Sequence, residues 1–338
     1  MKLYFAPLDG LTHPAYRAAH AACFGGVDRY YTPFYSPTSD GLSRKDCREL
    51  FPFAETPDPC FASGVSFVET VPQLMTNRAE DFLCAAAQLA AAGFRTVNLN
   101  VGCPSGTVTA KKRGAGFLTL PDALDEFLYT VVSAFPGRAP GLSLSVKTRV
   151  GYLSEEEWPR LLAVYARYPM AELIVHPRLR ADLYRGTPRR GTFAAACAAG
   201  LRADLIYNGD IFTVRDAASL RDTFPACRSL MCGRGALSDP ALFLALRGSR
   251  PADEKERLRR MLELVLEENA RRIGTGNWLL ARMADLWKYQ YFRFAGAEEF
   301  PRRIRRAATV AEYRAIVAEL FREHPLADGG HFIPPFSA

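Results

Sequence analysis

The sequence predicts a (β/α)8 barrel of the TIM type followed by a small all-helical domain. Three observations carry this expectation. Short β-branched or aromatic runs alternate with helical patterns from the N-terminus to about residue 247, giving eight strand candidates. Polar residues and glycines gather where those strands end. After Arg250-Pro251 the strand pattern vanishes and long helical periodicity takes over. A doubly wound open sheet is the alternative, but no Gly-x-Gly-x-x-Gly turn follows the first strand.

The strand candidates are Leu3–Ala6, Arg29–Thr32, Val71–Met75, Val97–Val101, Leu142–Lys147, Leu173–His176, Leu205–Asn208 and Ser229–Cys232. Helical patterns cover Pro14–Cys23, Ala79–Ala92, Asp122–Ala134, Glu155–Tyr168, Phe193–Ala199, Val214–Thr223 and Pro240–Arg247. Gly93 stands where a helix C-terminus favours glycine, and Ser154 to Glu157 forms a capping-box pattern. The second helix has the weakest signal: Ser36–Ser66 carries several prolines and reads as an irregular excursion. In the tail, helices are expected at Asp253–Arg272, Trp278–Phe294, Phe300–Ala307 and Val310–His324, with a second capping box from Thr309 to Glu312. Leu258, Met261, Leu262, Val265 and Leu266 form one apolar stripe. The division expected is a barrel over residues 1–248 and a helical domain over 249–338.

A chain of 338 residues, 49% hydrophobic and 23% charged, is long enough for a barrel core. Its net charge of +7 tilts the expectation toward a polyanionic partner without requiring one. No signal-peptide pattern follows Met1-Lys2, and no apolar run is long enough to span a bilayer. The eight cysteines are scattered without C-x-x-C spacing, which argues against a zinc site, a redox dithiol or a disulfide framework. A reduced, cytoplasmic, metal-free and monomeric protein is the expectation.

The most informative stretch runs from Asn98 to Val108. An apolar strand breaks at Gly102, Cys103 stands on the turn, and Pro104 stiffens the exit; Lys111-Lys112-Arg113-Gly114-Ala115-Gly116 follows. A thiol at a strand end sits at the rim of the barrel, where loops carry chemistry. With an ordinary pKa near 8.5 it keeps its proton at neutral pH and donates it without an activating base. Other strand ends supply Pro7-Leu8-Asp9-Gly10, Gln73, Lys147-Thr148-Arg149, His176-Pro177-Arg178, Asn208-Gly209-Asp210 and Gly233-Arg234-Gly235. Glycines after strands seven and eight serve either simple turns or a phosphate site, which Arg234 would complete. Lys147 faces either solvent or an anionic ligand, on the same strand face as Arg149. His176, taken alone, reads as a structural histidine.

These motifs together resemble the tRNA-dihydrouridine synthases. Ala6-Pro7-Leu8-Asp9-Gly10-Leu11-Thr12 is similar to that family's opening, and Asn98 to Ala115 resembles its N-x-G-C-P signature with the spaced Gly-Ala. Val146 to Arg149, Val175-His176, Asn208 to Ile211 and Gly233 to Leu237 follow in the family's order. The resemblance implies an FMN enzyme that reduces the C5–C6 double bond of selected tRNA uridines, with NADPH recharging the flavin. It implies that Pro7, Leu8, Asp9 and Gln73 line the flavin, that Lys147 and His176 contact it, and that Asn208, Gly209, Asp210, Gly233 and Arg234 hold its phosphate. Cys103 would protonate C5 opposite a hydride delivered to C6, and Asn100 would help hold the uracil. Lys111, Lys112, Arg113, Arg149, Arg178 and Arg180 are expected on the RNA side, joined by the Arg302-Arg303-Arg305-Arg306 cluster. Two departures stand out: Leu8 replaces the usual methionine, and Pro177 replaces a glycine between His176 and Arg178. Competing readings are an FMN barrel acting on a free small molecule, and a catalytically silent barrel that only binds tRNA.

Overall fold

A computed structural model describes residues 1–50, 69–327 and 332. Eight parallel strands close in sequence order: β1 (Lys2–Phe5), β2 (Arg29–Tyr35), β3 (Glu69–Leu74), β4 (Thr96–Val101), β5 (Ser143–Arg149), β6 (Glu172–His176), β7 (Asp204–Tyr207) and β8 (Ser229–Cys232), with β8 pairing back onto β1. The predicted TIM barrel is the observed one, and strand bounds shift by no more than three residues.

The period of two along each strand separates two apolar layers. Inward-pointing Tyr4, Tyr31, Val71, Ile174, Ile206 and Met231 form a closed cluster with Ala6. Leu3, Phe5, Tyr30, Leu74, Leu99 and Val146 point outward into the cluster shared with the helices. The N-terminal end of the barrel is plugged by Glu172, which is 3% exposed. Its carboxylate accepts from the Tyr31 hydroxyl and the Arg29 guanidinium at 2.5 Å, and from the Tyr4 hydroxyl at 3.1 Å. A buried charge needs such partners, and with the floor sealed, ligands enter at the opposite, C-terminal end.

The expected excursion at Ser36–Ser66 contains a short helix, Arg44–Leu50; residues 51–66 lie outside the described residues. The Ser154 to Glu157 capping box is present in both halves. At Thr309 only one half forms: its hydroxyl accepts from the Glu312 N–H, while the Glu312 carboxylate takes the Ala308 N–H instead of that of Thr309. A full box also stands at Thr213 and Asp216.

The tail folds into helices Glu254–Ile273, Asn277–Gln290, Phe300–Arg306 and Val310–Glu323. The stripe from Leu258 to Leu266 is buried, and its helix packs against Pro14–Cys23. Arg293 and Arg250 both pair with Glu254 and with Asp239, tying the tail to the end of the barrel. The expected boundary at residue 248 falls in the turn between Leu242–Leu246 and Glu254–Ile273. No helix among the described residues is long and apolar enough to cross a membrane.

Candidate active site

The corner after β4 is held by side-chain chemistry. Asn100 Oδ1 accepts from the Gly102 N–H at 3.0 Å and from the Cys103 N–H at 2.9 Å, an Asx-type turn that ends the strand and presents the thiol. Gly102 backs onto β5, where a Cβ would lie 3.3 Å from the Thr148 carbonyl carbon. The Ala115 N–H donates to the Cys103 carbonyl at 3.0 Å. Gly114 beside it has φ +54°, and a Cβ there would press to 2.9 Å from the same oxygen. The spaced Gly-Ala is therefore the second jaw of the clamp around Cys103.

Behind the corner runs an amide relay. Asn100 Nδ2 donates to Gln73 Oε1, Gln73 Nε2 to Asn98 Oδ1, and Asn98 Nδ2 to Ser145 Oγ, each at 2.8 Å. Three adjacent strands are cross-linked inside the barrel, and each amide's orientation follows from its neighbour's. Asn100, expected to hold a ligand, thus spends its carbonyl oxygen and one amide hydrogen on the protein.

Five basic residues gather at the same strand ends. Burial, reinforced by the neighbouring Arg149, lowers the Lys147 amine to about 7. No carboxylate lies within ion-pair range of it among the described residues. Arg149 is buried, donating from Nε to the Gly102 carbonyl at 2.9 Å and from Nη1 to the Leu179 carbonyl at 2.8 Å. His176 is held well below its ordinary range by burial and by the positive charges of Arg149, Lys147, Arg178 and Arg234. Its Nε2 faces Arg178 Nη1 at 3.3 Å. Arg178 can only donate, so Nε2 accepts and the ring proton sits on Nδ1.

Arg178, expected at the RNA surface, is fully buried. Its five N–H groups meet the carbonyls of Arg185 and Gly186, His176 Nε2 and both carboxylate oxygens of Asp210. That geometry makes it a bracket for the loop after β6 and leaves it no donor for a phosphate. Asp210 also accepts from Arg234 Nη2 at 2.6 Å. Its carboxylate thus aligns two arginines, and only its backbone is available to a phosphate. Arg234 keeps Nε and Nη1 without a protein acceptor among the described residues, framed by the rings of Tyr184, Phe332 and Phe212 at 4.7, 5.6 and 5.7 Å.

A cavity of about 430 Å³ opens here, lined by Pro7, Leu8, Asp9, Gln73, Asn100, Cys103, Lys147, Arg149, His176 and Arg234 among others. Ten of the expected site residues thus share one space. Burial raises the Cys103 thiol, with a smaller push from the charge of Asp9, while a hydrogen bond from the Ser105 backbone and then the charges of Arg149 and Lys147 pull it back. It is half-buried and protonated at neutral pH. Outside the lining, Asn208 donates to the Met231 carbonyl at 2.8 Å, and Gly209 packs on the Tyr207 ring. Gly233 lies against Ala6. Arg180 donates to the Pro104 carbonyl at 3.2 Å. Lys111 and Lys112 are exposed and Arg113 half-buried. The Pro177 carbonyl accepts from the Arg189 N–H at 2.7 Å, so the loop closes without the N–H that proline lacks. The sequence reading missed Pro33, Phe34 and Leu183 of the lining, and two tyrosines. Tyr184 lies between Arg149 and Arg234, an aromatic in an arginine-rich loop. Tyr289 arrives from the helical tail, far away in sequence.

The family described as dihydrouridine synthase (Dus) matches residues 5–321. A tRNA-dihydrouridine(16) synthase of Neisseria meningitidis serogroup B is 26% identical over 332 residues, 95% of either chain. One from Ralstonia nicotianae is 30% identical over 259 residues, 75% of either chain. Among solved structures, a morphinone reductase in complex with tetrahydroNAD aligns with a TM-score of 0.51 at 13% identity, covering 76% of this chain and 89% of that one. A histamine dehydrogenase from Rhizobium aligns with 0.54 at 11% identity, covering 78% and 49%. At such identities the structural likeness speaks for the barrel alone. With its fold closed, its cysteine corner built and the family match running nearly end to end, this chain belongs to the dihydrouridine synthase family.

Proposed function

We propose that the chain is a flavin-dependent tRNA-dihydrouridine synthase that reduces the C5–C6 bond of uridine, with FMN as cofactor and NADPH as reductant. The observation that carries this reading is a protonated thiol in one cavity with a buried amine that has no carboxylate partner among the described residues. A buried amine poised near 7 fits a ring that becomes anionic on accepting electrons, and Arg234, with two donor nitrogens open among the described residues, fits a phosphate. Residues Pro7, Leu8, Asp9 and Gln73 would line the flavin. Lys147 and His176 would contact it, the latter through its Nδ1 proton. Asn208, Gly209, Asp210, Gly233 and Arg234 would surround the phosphate, Asp210 through its backbone. Bound FMN supplies the hydride that goes to C6 of the uracil.

Cys103 supplies the accompanying proton to C5, so that one hydride and one proton saturate the double bond. A thiol raised by burial holds its proton until a carbanion-like carbon approaches, which suits an acid better than a nucleophile. Arg149 and Asn100 fix the thiol's position from opposite sides of the Gly102 peptide. The base has to leave its stack to enter such a pocket. Lys111, Lys112, Arg113 and Arg180 lie on the segments flanking the cysteine corner and would hold phosphates there. The names of the relatives favour position 16 of the tRNA. The test is to incubate purified protein with NADPH and unmodified tRNA and to map dihydrouridine by mass spectrometry. A yellow protein that modifies U16 is expected. Equal reduction of free uridine, or a colourless protein that binds tRNA, would overturn the proposal.

A further inference from the structure

The helix Asn277–Gln290 joins the cavity to a surface that the reaction does not use. Near its C-terminal end Tyr289 lines the cavity, and the Gln290 amide donates to the Leu237 carbonyl, seating the helix on the turn after β8. Near its other end stands Trp278, 82% exposed. Eleven residues of helix separate the two aromatics, roughly 16 Å. Spacings of four, three and four residues put Trp278, Arg282, Asp285 and Tyr289 along one side of the helix, opposite buried Leu280, Met283, Ala284 and Trp287.

An indole in water at this position does nothing for the fold. The other two tryptophans, Trp158 and Trp287, are buried, so the chain had apolar sites to fill and left this ring outside. Its side of the helix carries Arg282 and also Asp285, whose carboxylate is taken up by Lys288. Arg282, one turn on, reaches only Asn269 Oδ1 at 3.5 Å, and no carboxylate lies within ion-pair range of it among the described residues. Arg271 and Arg272, at the end of the preceding helix, share the single carboxylate of Glu268. The first turn of the Trp278 helix carries no acidic residue. His13, on the turn after β1, lies close enough to Arg282, Arg17 and Arg272 for their charges to lower it, after burial, to about 3. The surface thus continues onto the rim of the barrel mouth.

We infer that Trp278 is a stacking platform for an unpaired base of the RNA, about 16 Å along the helix from the residue that enters the pocket. An exposed aromatic face beside Arg282, which has no carboxylate partner among the described residues, and near two arginines that share one carboxylate, suits a base with its phosphate, because stacking and charge neutralisation act on adjacent parts of one nucleotide. The inference rests on the tRNA reading above and adds a contact remote from the reacting uridine. Its effect is on binding: KM for tRNA rises while kcat stays.

The test uses the full-length holoenzyme and unmodified tRNA. Trp278→Ala should weaken tRNA binding roughly 5- to 100-fold, with flavin content and thermal midpoint unchanged. Trp278→Phe should restore most of the affinity, and Trp278→Leu, apolar but without a π-face, should not. Because Trp158 and Trp287 are buried, acrylamide quenching reports Trp278, and saturating tRNA should protect it. If tRNA binds and is reduced but Trp278 stays fully quenchable, or Trp278→Ala binds as tightly as the parent, the inference fails and the tRNA reading stands. If Trp278 is shielded by rising protein concentration and not by tRNA, the face belongs to a second copy of the chain and the inference fails. If the holoenzyme neither binds nor reduces tRNA, both fail.

Discussion

Replacing Asn100 with alanine isolates the cost of presenting the thiol. Asn100 is 8% exposed and makes three hydrogen bonds of 2.8 to 3.0 Å. Removing its side chain strips the acceptor from the buried Gly102 N–H and from the half-buried Cys103 N–H, and the donor from Gln73 Oε1. An orphaned buried polar group costs about 1–3 kcal/mol, and one that water can reach costs less. Gly102, Cys103 and Gln73 all line the cavity, which can admit water once the side chain is gone, so the sum is about 2–4 kcal/mol. Asn100→Asp keeps the acceptor for both N–H groups but sets a carboxylate oxygen against Gln73 Oε1, so it should lose stability while keeping more of the corner, and hence of the turnover, than alanine does. The corner itself should loosen in the alanine variant, and a displacement near 1 Å costs on the order of 100-fold in rate. Denaturant melts of the flavin-free proteins measure the first quantity and tRNA turnover the second. If Asn100→Ala melts within about 1 kcal/mol of the parent, or turns over tRNA no more slowly than Asn100→Asp, Asn100 does not build the corner.

Two further outcomes follow from the cation cluster. The folded chain releases the Lys147 proton near 7, whereas the unfolded chain keeps it to about 10.5; between those values the unfolded state binds more protons, so stability contributed by this site rises with pH. Compared with Lys147→Met, flavin-free protein should therefore gain stability between pH 7 and 9 in urea melts, and parallel profiles would remove the buried amine from the account. Asp210→Ala leaves the fully buried Arg178 without its carboxylate and should cost about 3–5 kcal/mol. Adding Arg178→Met should recover part of that loss in the same melts, and an additive pair would show that the two side chains are not coupled.

The barrel was legible because its strands are short apolar runs in a regular alternation, and a period of two leaves little freedom in placing them. Arg44–Leu50 escaped because only Leu50 of its seven residues is buried, so it shows no stripe. The Thr213 cap uses an aspartate at its third helical position, a shorter arm than the pattern sought. At the site, Cys103, Lys147 and His176 were readable because each stands at or within two residues of the C-terminal end of a strand. What each basic side chain does was not readable. Arg178 looks like a loop arginine, and the carboxylate that captures it lies 32 residues away. Asn100 looks like a ligand-binding amide, and only coordinates reveal that its oxygen closes the turn it precedes. Tyr289 and Glu172 depend wholly on tertiary structure: one crosses from the tail into the mouth, and the other seals the floor.

The central claim, that Cys103 is the proton donor to a uracil reduced in this cavity, is tested most directly by separating the two halves of the reaction in Cys103→Ala. The variant should bind flavin and be reduced by NADPH like the parent. The subsequent reoxidation of its flavin by tRNA, followed by absorbance in a single anaerobic turnover, should fall by two orders of magnitude or more, with dihydrouridine lost to match. Reoxidation by tRNA at the parental rate, with dihydrouridine formed, would contradict the assignment.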